Sequence, residues 1–168
     1  MANLYSIWII GPSCCGKTEV AKEIIKILEE KNINIVHLDG FELRKLFKLN
    51  GYDPISRSTN IKNYIRLIKL LTKKNVSTLV TTIHPFEKDR EFCRKEILNY
   101  KEVYLESSIS KRIERDDKKL YLSAMNGSKK YVVDVDIPFD IPINPDFKIN
   151  SDNLSPKEIA LDIIKKFK

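Results

Sequence analysis

Eight consecutive residues, Gly11-Pro12-Ser13-Cys14-Cys15-Gly16-Lys17-Thr18, fit G-x-x-x-x-G-K-[ST] at every constrained position. The chemistry such a run performs is phosphate binding. Glycines let the backbone approach an anion closely, and successive N–H groups at a helix N-terminus point at its oxygens. On this reading Gly11, Ser13, Cys14, Cys15 and Gly16 cradle the phosphates of ATP. Lys17 neutralises the β- and γ-phosphates, and the Thr18 hydroxyl ligates Mg²⁺. The adjacent cysteines invite a redox role. Neighbouring cysteines rarely have the geometry for an unstrained bridge, so the better reading is two small residues in a loop that offers mainly backbone.

A phosphate loop works only between a strand and a helix, and both are legible. Leu4 to Ile10 is an apolar run that reads as a buried parallel strand. From Gly16 onward Val20, Ile24, Ile27 and Leu28 recur on one helical face. Further strands are expected at Asn34 to Leu38, Val76 to Ile83, Glu102 to Leu105 and Phe147 to Ile149. Helices are expected at Phe41 to Leu49, Ile61 to Lys74 and Glu87 to Asn99, with a last one beginning at Ser155-Pro156. Strands alternating with helices predict one α/β domain over 1–168, a five-stranded, largely parallel sheet covered on both faces. The stretch from about 110 to 145 has weak regularity and Pro138, Pro142 and Pro145, which predicts a mobile lid rather than core. Asp39 ends the second strand, where the ligand crevice of such a sheet opens. A carboxylate there either holds Mg²⁺ or orients an attacking hydroxyl, or it caps the next helix; position alone leaves these open.

Composition limits the alternatives. With 42% hydrophobic and 32% charged residues the chain is globular, and 168 residues suffice for a single core. No apolar run is long enough to cross a bilayer. The start of the chain lacks a basic leader region, so no signal peptide is expected and a cytoplasmic location is. Three cysteines without a spaced framework argue against a disulfide scaffold and against zinc. The net charge of +7 comes from lysines scattered over polar helix faces, which reads as solvated surface rather than a nucleic-acid stripe.

Beyond the phosphate loop, an ordered set of residues resembles the adenylylsulfate kinases. The set runs through Leu38-Asp39-Gly40 with Arg44, Gly51-Tyr52, Arg57 and Asn60-Ile61, then Pro85 with Asp89-Arg90. It continues with Arg115-Asp116, Lys130, Asp136, Pro138-Phe139-Asp140 and Asn144-Pro145-Asp146. The resemblance implies a P-loop kinase that moves the ATP γ-phosphate to the ribose 3′-hydroxyl of a nucleotide acceptor, with Mg²⁺. It implies that Lys17 and Asp39 are catalytic, that Thr18 and Asp39 hold the metal, and that Arg115 joins the ATP site. On the acceptor side it implies that Arg44, Arg57 and Asn60 grip phosphate and sugar, that Tyr52 stacks on the base, and that Lys130 reaches over from the lid. The alternatives are surface charges at Arg44 and Arg57 and a loop anchor at Tyr52. The resemblance further implies a small-molecule acceptor, no nucleic-acid or membrane partner, and a homodimer.

Three departures bear on the acceptor. Phe41 stands where the family has a second Asp, with Glu42 next to it. His84 replaces a Ser, and is either an acceptor contact or a merely hydrogen-bonded histidine. Val132 replaces the lid Phe that sandwiches adenine, and a lost stacking partner costs about 1–3 kcal/mol. These departures favour a smaller base, as in the family's cytidine diphosphoramidate kinase relative of capsule synthesis, over adenylylsulfate. A nucleotide-binding module without turnover is the remaining alternative.

Overall fold

Side chains alternate across a strand, and one strand of this protein feeds two cores. In the computed structural model, which describes residues 4–167, every residue of β1 (Ser6–Ile10) is buried. Ile7 and Ile9 enter one core while Trp8 and Ile10 enter the other, as the period of two requires. Strands β2 (Val36–Asp39), β3 (Thr78–Thr82), β4 (Tyr100–Glu106) and β5 (Phe147–Asn150) complete a sheet of order β2-β3-β1-β4-β5. Every pairing is parallel, so each connection must cross over the sheet.

The crossovers use α1 (Lys17–Glu29), α2 (Gly40–Leu46), α3 (Pro54–Lys73), α4 (Glu87–Glu96), α5 (Ile109–Glu114) and α6 (Leu120–Met125), and α7 (Pro156–Lys166) follows the last strand. Val20, Ile24 and Ile27 of α1 pack with Ile159 and Ile163 of α7 over the Ile7 and Ile9 face. On the Trp8 and Ile10 face lie Ile61, Ile65 and Ile68 of α3 with Cys93 of α4. The chain therefore has the P-loop α/β architecture, with its parallel sheet between two helical layers. Among the described residues no helix is long and apolar enough to cross a membrane.

One expectation needs correction and another gains detail. Helix α3 begins at Pro54, seven residues before the expected Ile61. Asp53 caps it by accepting from the Ser56 amide at 3.0 Å, with proline in the first turn. Its buried face in that first stretch carries Arg57 and Asn60, so polar groups facing a pocket erase the apolar period. The stretch expected to be lid rather than core buries Tyr121, Val132, Val133 and Ile137. It also stacks Phe139 on Tyr104 at 5.7 Å. Its helices are short and its remaining backbone irregular, and such segments leave no hydrophobic period to read.

One buried charge cluster locks the loop after β3. Arg90 is fully buried; it donates to Glu87 Oε2 at 2.9 and 2.6 Å, to the His84 carbonyl at 2.8 Å and to the Asp140 carbonyl at 2.5 Å. Arg94 joins Glu87 to the buried Glu102, whose Oε2 also accepts from the Tyr100 hydroxyl. Removing one member of such a cluster strands its partners in low dielectric. Arg90→Ala is expected to lower unfolding free energy by about 3–5 kcal/mol, measured as the shift of the urea midpoint at unchanged m-value.

Candidate active site

The phosphate loop joins β1 to α1, and side chains hold the carbonyls of Gly11, Pro12, Ser13 and Cys15. Gly11 has φ +153°, and a Cβ there would lie 2.5 Å from the Leu105 carbonyl oxygen and 2.9 Å from Cys15 Sγ. No side chain fits that approach. Gly16, at φ +98°, is the left-handed cap that starts α1. The Tyr121 hydroxyl donates to the Ser13 carbonyl at 2.9 Å, and the Ser151 hydroxyl donates to the Cys15 carbonyl at 2.9 Å. Lys17 Nζ lies across the loop, bonded to the carbonyls of Gly11 and Pro12 at 2.9 and 2.6 Å. All three cysteines are free. Burial, reinforced by the Asp116 charge, pushes the Cys14 thiol up, so it stays protonated. The two loop cysteines are thus packing residues rather than a redox pair.

Asp39 caps α2 and also reaches the first turn of α1 beside the phosphate loop. Oδ1 accepts from the Phe41 amide at 2.9 Å and caps α2, while Oδ2 accepts from Thr18 Oγ1 at 3.1 Å and Thr81 Oγ1 at 2.7 Å. Burial alone would raise its pKa; the three hydrogen bonds outweigh burial and hold the carboxyl below its ordinary range. Thr81 is the register partner of Asp39 in the β2–β3 ladder, and His37 Nε2 lies 3.0 Å from the same threonine hydroxyl. Thr81 and His37 were missed in the sequence. The signal for His37 was its spacing of two from Asp39 on one strand, which puts both on one face. Thr18 and Asp39 offer adjacent hard oxygens. That is the sparse protein donor set suited to Mg²⁺ bound mainly by water and phosphate; no denser acidic cluster exists among the described residues.

A cleft of about 760 Å³ runs from Ser13, Lys17 and Thr18 past Asp39 to Tyr52, Lys130 and Val132. It brings together the two ends that the sequence assigned to ATP and to an acceptor. Arg57 is buried at the acceptor end, but its Nε donates to the Tyr52 carbonyl at 2.7 Å and its Nη2 to the Tyr131 carbonyl at 2.9 Å. Burial, with the nearby Arg44 charge, lowers its pKa to about 10. Arg44 Nη1 donates to the Gly51 carbonyl at 2.6 Å, with its guanidinium 4.3 Å from the Tyr52 ring centroid. Much of each fork is therefore occupied in shaping the acceptor loop. Neither is a loose surface charge. Asn60 is buried on α3 with its Nδ2 unpartnered in the cleft wall. Arg115 is exposed at the cleft's ATP end, held by the Ser151 carbonyl at 2.9 Å.

His84 sits in that wall but is only 1% exposed. Its ring packs 5.2 Å from Trp8, and Nε2 lies 3.9 Å from Cys93 Sγ. Burial, then the charges of Arg90 and Arg94, depress its pKa to about 3, so it is a neutral packing group and not a cation facing substrate. Of the two residues near the lost Asp, Glu42 stands exposed in the cleft and His84 does not. Phe41 is exposed, with Lys45 Nζ 4.4 Å and Lys118 Nζ 5.5 Å from its ring centroid.

Residues 4–150 match the family model for adenylylsulphate kinase. The chain belongs to the adenylylsulfate kinase family. It is an ATP-dependent phosphotransferase with an alcohol group as acceptor. It is 36% identical over 165 residues to the probable adenylyl-sulfate kinase of Pyrococcus abyssi, covering 98% of this chain and 95% of that protein. It is 34% identical over 164 residues to the cytidine diphosphoramidate kinase of Campylobacter jejuni, covering 98% and 96%. Its fold matches the Mycobacterium tuberculosis APS kinase CysC, solved with AMPPNP and APS, at TM-score 0.91 and 29% identity, over 98% and 97% of the two chains.

The buried imidazole of this adenylylsulfate kinase relative gives a pH prediction. Free in the unfolded chain it titrates at about 6.5, whereas in the fold it stays neutral to about 3. Between those values only the unfolded chain gains the proton, so stability falls as pH drops. Burial shifts His37 in the same direction, against the Asp39 and Glu42 charges. His84→Gln is expected to flatten the dependence of unfolding free energy on pH between about 6.5 and 5, read by urea titrations at each pH.

Proposed function

We propose that this kinase phosphorylates the ribose 3′-hydroxyl of a pyrimidine nucleotide of the cytidine diphosphoramidate type, in the cytoplasm, for capsular phosphoramidate modification. The observation that carries the reading is Val132. It lines the acceptor end of the cleft but is only 4% exposed, a small buried side chain where the family places a ring beside adenine. A purine in that position forgoes a stacking face worth about 1–3 kcal/mol; a pyrimidine has less surface to lose. The 34% identity to a kinase of that acceptor supports the same choice. A cytoplasmic site follows from the location of ATP and nucleotide pools.

The residues supply positioning and charge. Loop amides and Lys17 bind the triphosphate, and Thr18 with Asp39 would hold Mg²⁺, which when bound neutralises charge on the transferring group. Asp39 is ionised by its hydrogen bonds, so it accepts a hydrogen bond from the attacking hydroxyl at neutral pH and orients it in line with the γ-phosphate. Tyr52 offers its exposed ring to the base, and Lys130 brings a flexible ammonium to the acceptor's phosphates.

The adenylylsulfate reading is kept by the Pyrococcus relative at 36% identity. Kinetics with ATP and each acceptor separate the two: kcat/KM for cytidine diphosphoramidate is expected to exceed that for adenylylsulfate, and an equal or reversed ratio overturns the ranking. Turnover of neither acceptor, with ATP still bound, supports a module without catalysis. Asp39→Asn is expected to lower kcat about 10²–10⁴-fold while the Kd of a non-hydrolysable ATP analogue changes little.

A further inference from the structure

Behind the oxygens of Thr18 and Asp39 the sheet supplies a second layer of hydrogen bonds. Thr81 is only 2% exposed and directly opposes Asp39 in the β2–β3 ladder. His37 lies two residues before Asp39 on the same face of β2, half-buried at the cleft wall. Asp39 Oδ2 accepts from Thr81 Oγ1 at 2.7 Å, and His37 Nε2 stands 3.0 Å from that same hydroxyl oxygen.

Proton counting fixes the direction of every bond in this row. Asp39 is held in its ionised form and can only accept. A hydroxyl has one proton, and Thr81 gives its own to Asp39. The Thr81 oxygen is then left to accept from His37, so Nε2 is the ring nitrogen that carries a proton. At the other end Thr18 gives its proton to the same Oδ2 at 3.1 Å, which leaves the Thr18 lone pairs unspent. With Oδ1 held by the Phe41 amide at 2.9 Å, both oxygens of the carboxylate are fixed.

We infer that Thr81 and His37 are positioning residues of the cation site. His37 sets the proton of Thr81, Thr81 holds the Asp39 carboxylate, and Asp39 keeps the Thr18 oxygen available to a divalent cation. The inference rests on the reading that Thr18 and Asp39 hold Mg²⁺. Groups behind a metal's ligands orient those ligands, and losing one costs about 10–100-fold in metal affinity. Valine would fill the same space in a buried strand, so the hydroxyl is what threonine adds at 81.

Mn²⁺ serves as the probe, since its free ion is read by electron paramagnetic resonance. Wild type and variants, each with a bound non-hydrolysable ATP analogue, are titrated with Mn²⁺, and the analogue's Kd is measured in EDTA alongside. Thr81→Val is expected to weaken Mn²⁺ binding about 10–100-fold, with the Kd in EDTA unchanged. Thr81→Ser restores the hydroxyl and is expected to restore the affinity. His37→Leu is expected to weaken Mn²⁺ about ten-fold, and His37→Gln, which keeps an N–H donor, to recover most of it. Wild-type Mn²⁺ affinity in Thr81→Val or in His37→Leu overturns the inference, as does a Thr81→Ser as weak as the valine variant. If Thr81→Val also loses the analogue in EDTA, its defect is in folding and the two His37 variants decide. A wild-type complex that holds Mn²⁺ no more tightly than the free analogue does sinks the reading of the cation site, and this inference with it.

Discussion

The active site depends on one requirement, that the carbonyls of the phosphate loop find partners behind the loop so that its amides can face an anion. A turn of eight residues carries as many acceptors as donors, less the donor that Pro12 lacks, and a buried unpaired carbonyl is costly. The protein meets this from three directions. Ser151 reaches the Cys15 carbonyl from the segment after β5, Tyr121 reaches the Ser13 carbonyl from α6, and Lys17 takes Gly11 and Pro12 from inside. The Tyr121 bond is continued outward, because Arg112 Nη1 donates to that hydroxyl at 2.8 Å and its Nη2 donates to Asp134 at 2.8 Å. A chain of hydrogen bonds thus links the phosphate loop to the turn that presents Tyr131 and Val132. The ATP end and the acceptor end share a frame, although they are far apart in sequence.

That chain explains which parts of the site were legible in the amino-acid sequence. The loop from Gly11 to Thr18 was legible because its geometry admits few residue types at each place. The alternating architecture was legible because Ile7 to Ile10 is a short continuous apolar run ending at a glycine and Val20 to Leu28 carries a helical period. The first two turns of α3 were not, since Arg57 and Asn60 replace the apolar residues that a period needs. The buried base of the lid was hidden for a related reason: Tyr121, Val132, Val133 and Ile137 are held by turns and single bonds, and such contacts leave no repeat. Thr81 escaped because its role exists only through register with Asp39, a pairing across forty-two residues. His84 was placed in the right wall, with acceptor contact and packing both left open; strand-end position predicts location, while burial is decided by Trp8 and α4.

Electrostatics divide the cleft into a part that carries charge and a part that only supports it. Around the loop after β3 the charges are buried or half-buried and mutually satisfied: Arg90, Glu87, Arg94 and Glu102 are arranged so that no carboxylate lacks a guanidinium. Such a cluster contributes little net stability compared with an apolar replacement but makes any single loss expensive. Its effect on the site is positional, since Arg90 fixes the carbonyls of His84 and Asp140. It also excludes a positive charge from His84, whose pKa falls because burial and two neighbouring guanidinium groups act together. The charges proposed to meet the two nucleotides, Lys17, Asp39, Arg115 and Lys130, stand outside this cluster and line the cleft.

The change from a family Asp to Phe41 then has a definite consequence. A second carboxylate beside Asp39 would raise the pKa of the first by like-charge repulsion and would share the metal. With Phe41 there, Asp39 is the nearest carboxylate to Thr18, and its ionisation rests on the amide of Phe41 and on two threonine hydroxyls. The ring is not idle. Lys45 and Lys118 lie over it, an attraction of about 0.5–1 kcal/mol at exposed sites, weaker than an ion pair with a partly buried carboxylate and indifferent to protonation. Where the family has a negative charge, the site has a ring–ammonium contact between α2 and the α5–α6 turn. It keeps Asp39, the carboxylate that is hydrogen-bonded to Thr18 and to Thr81 at the strand end.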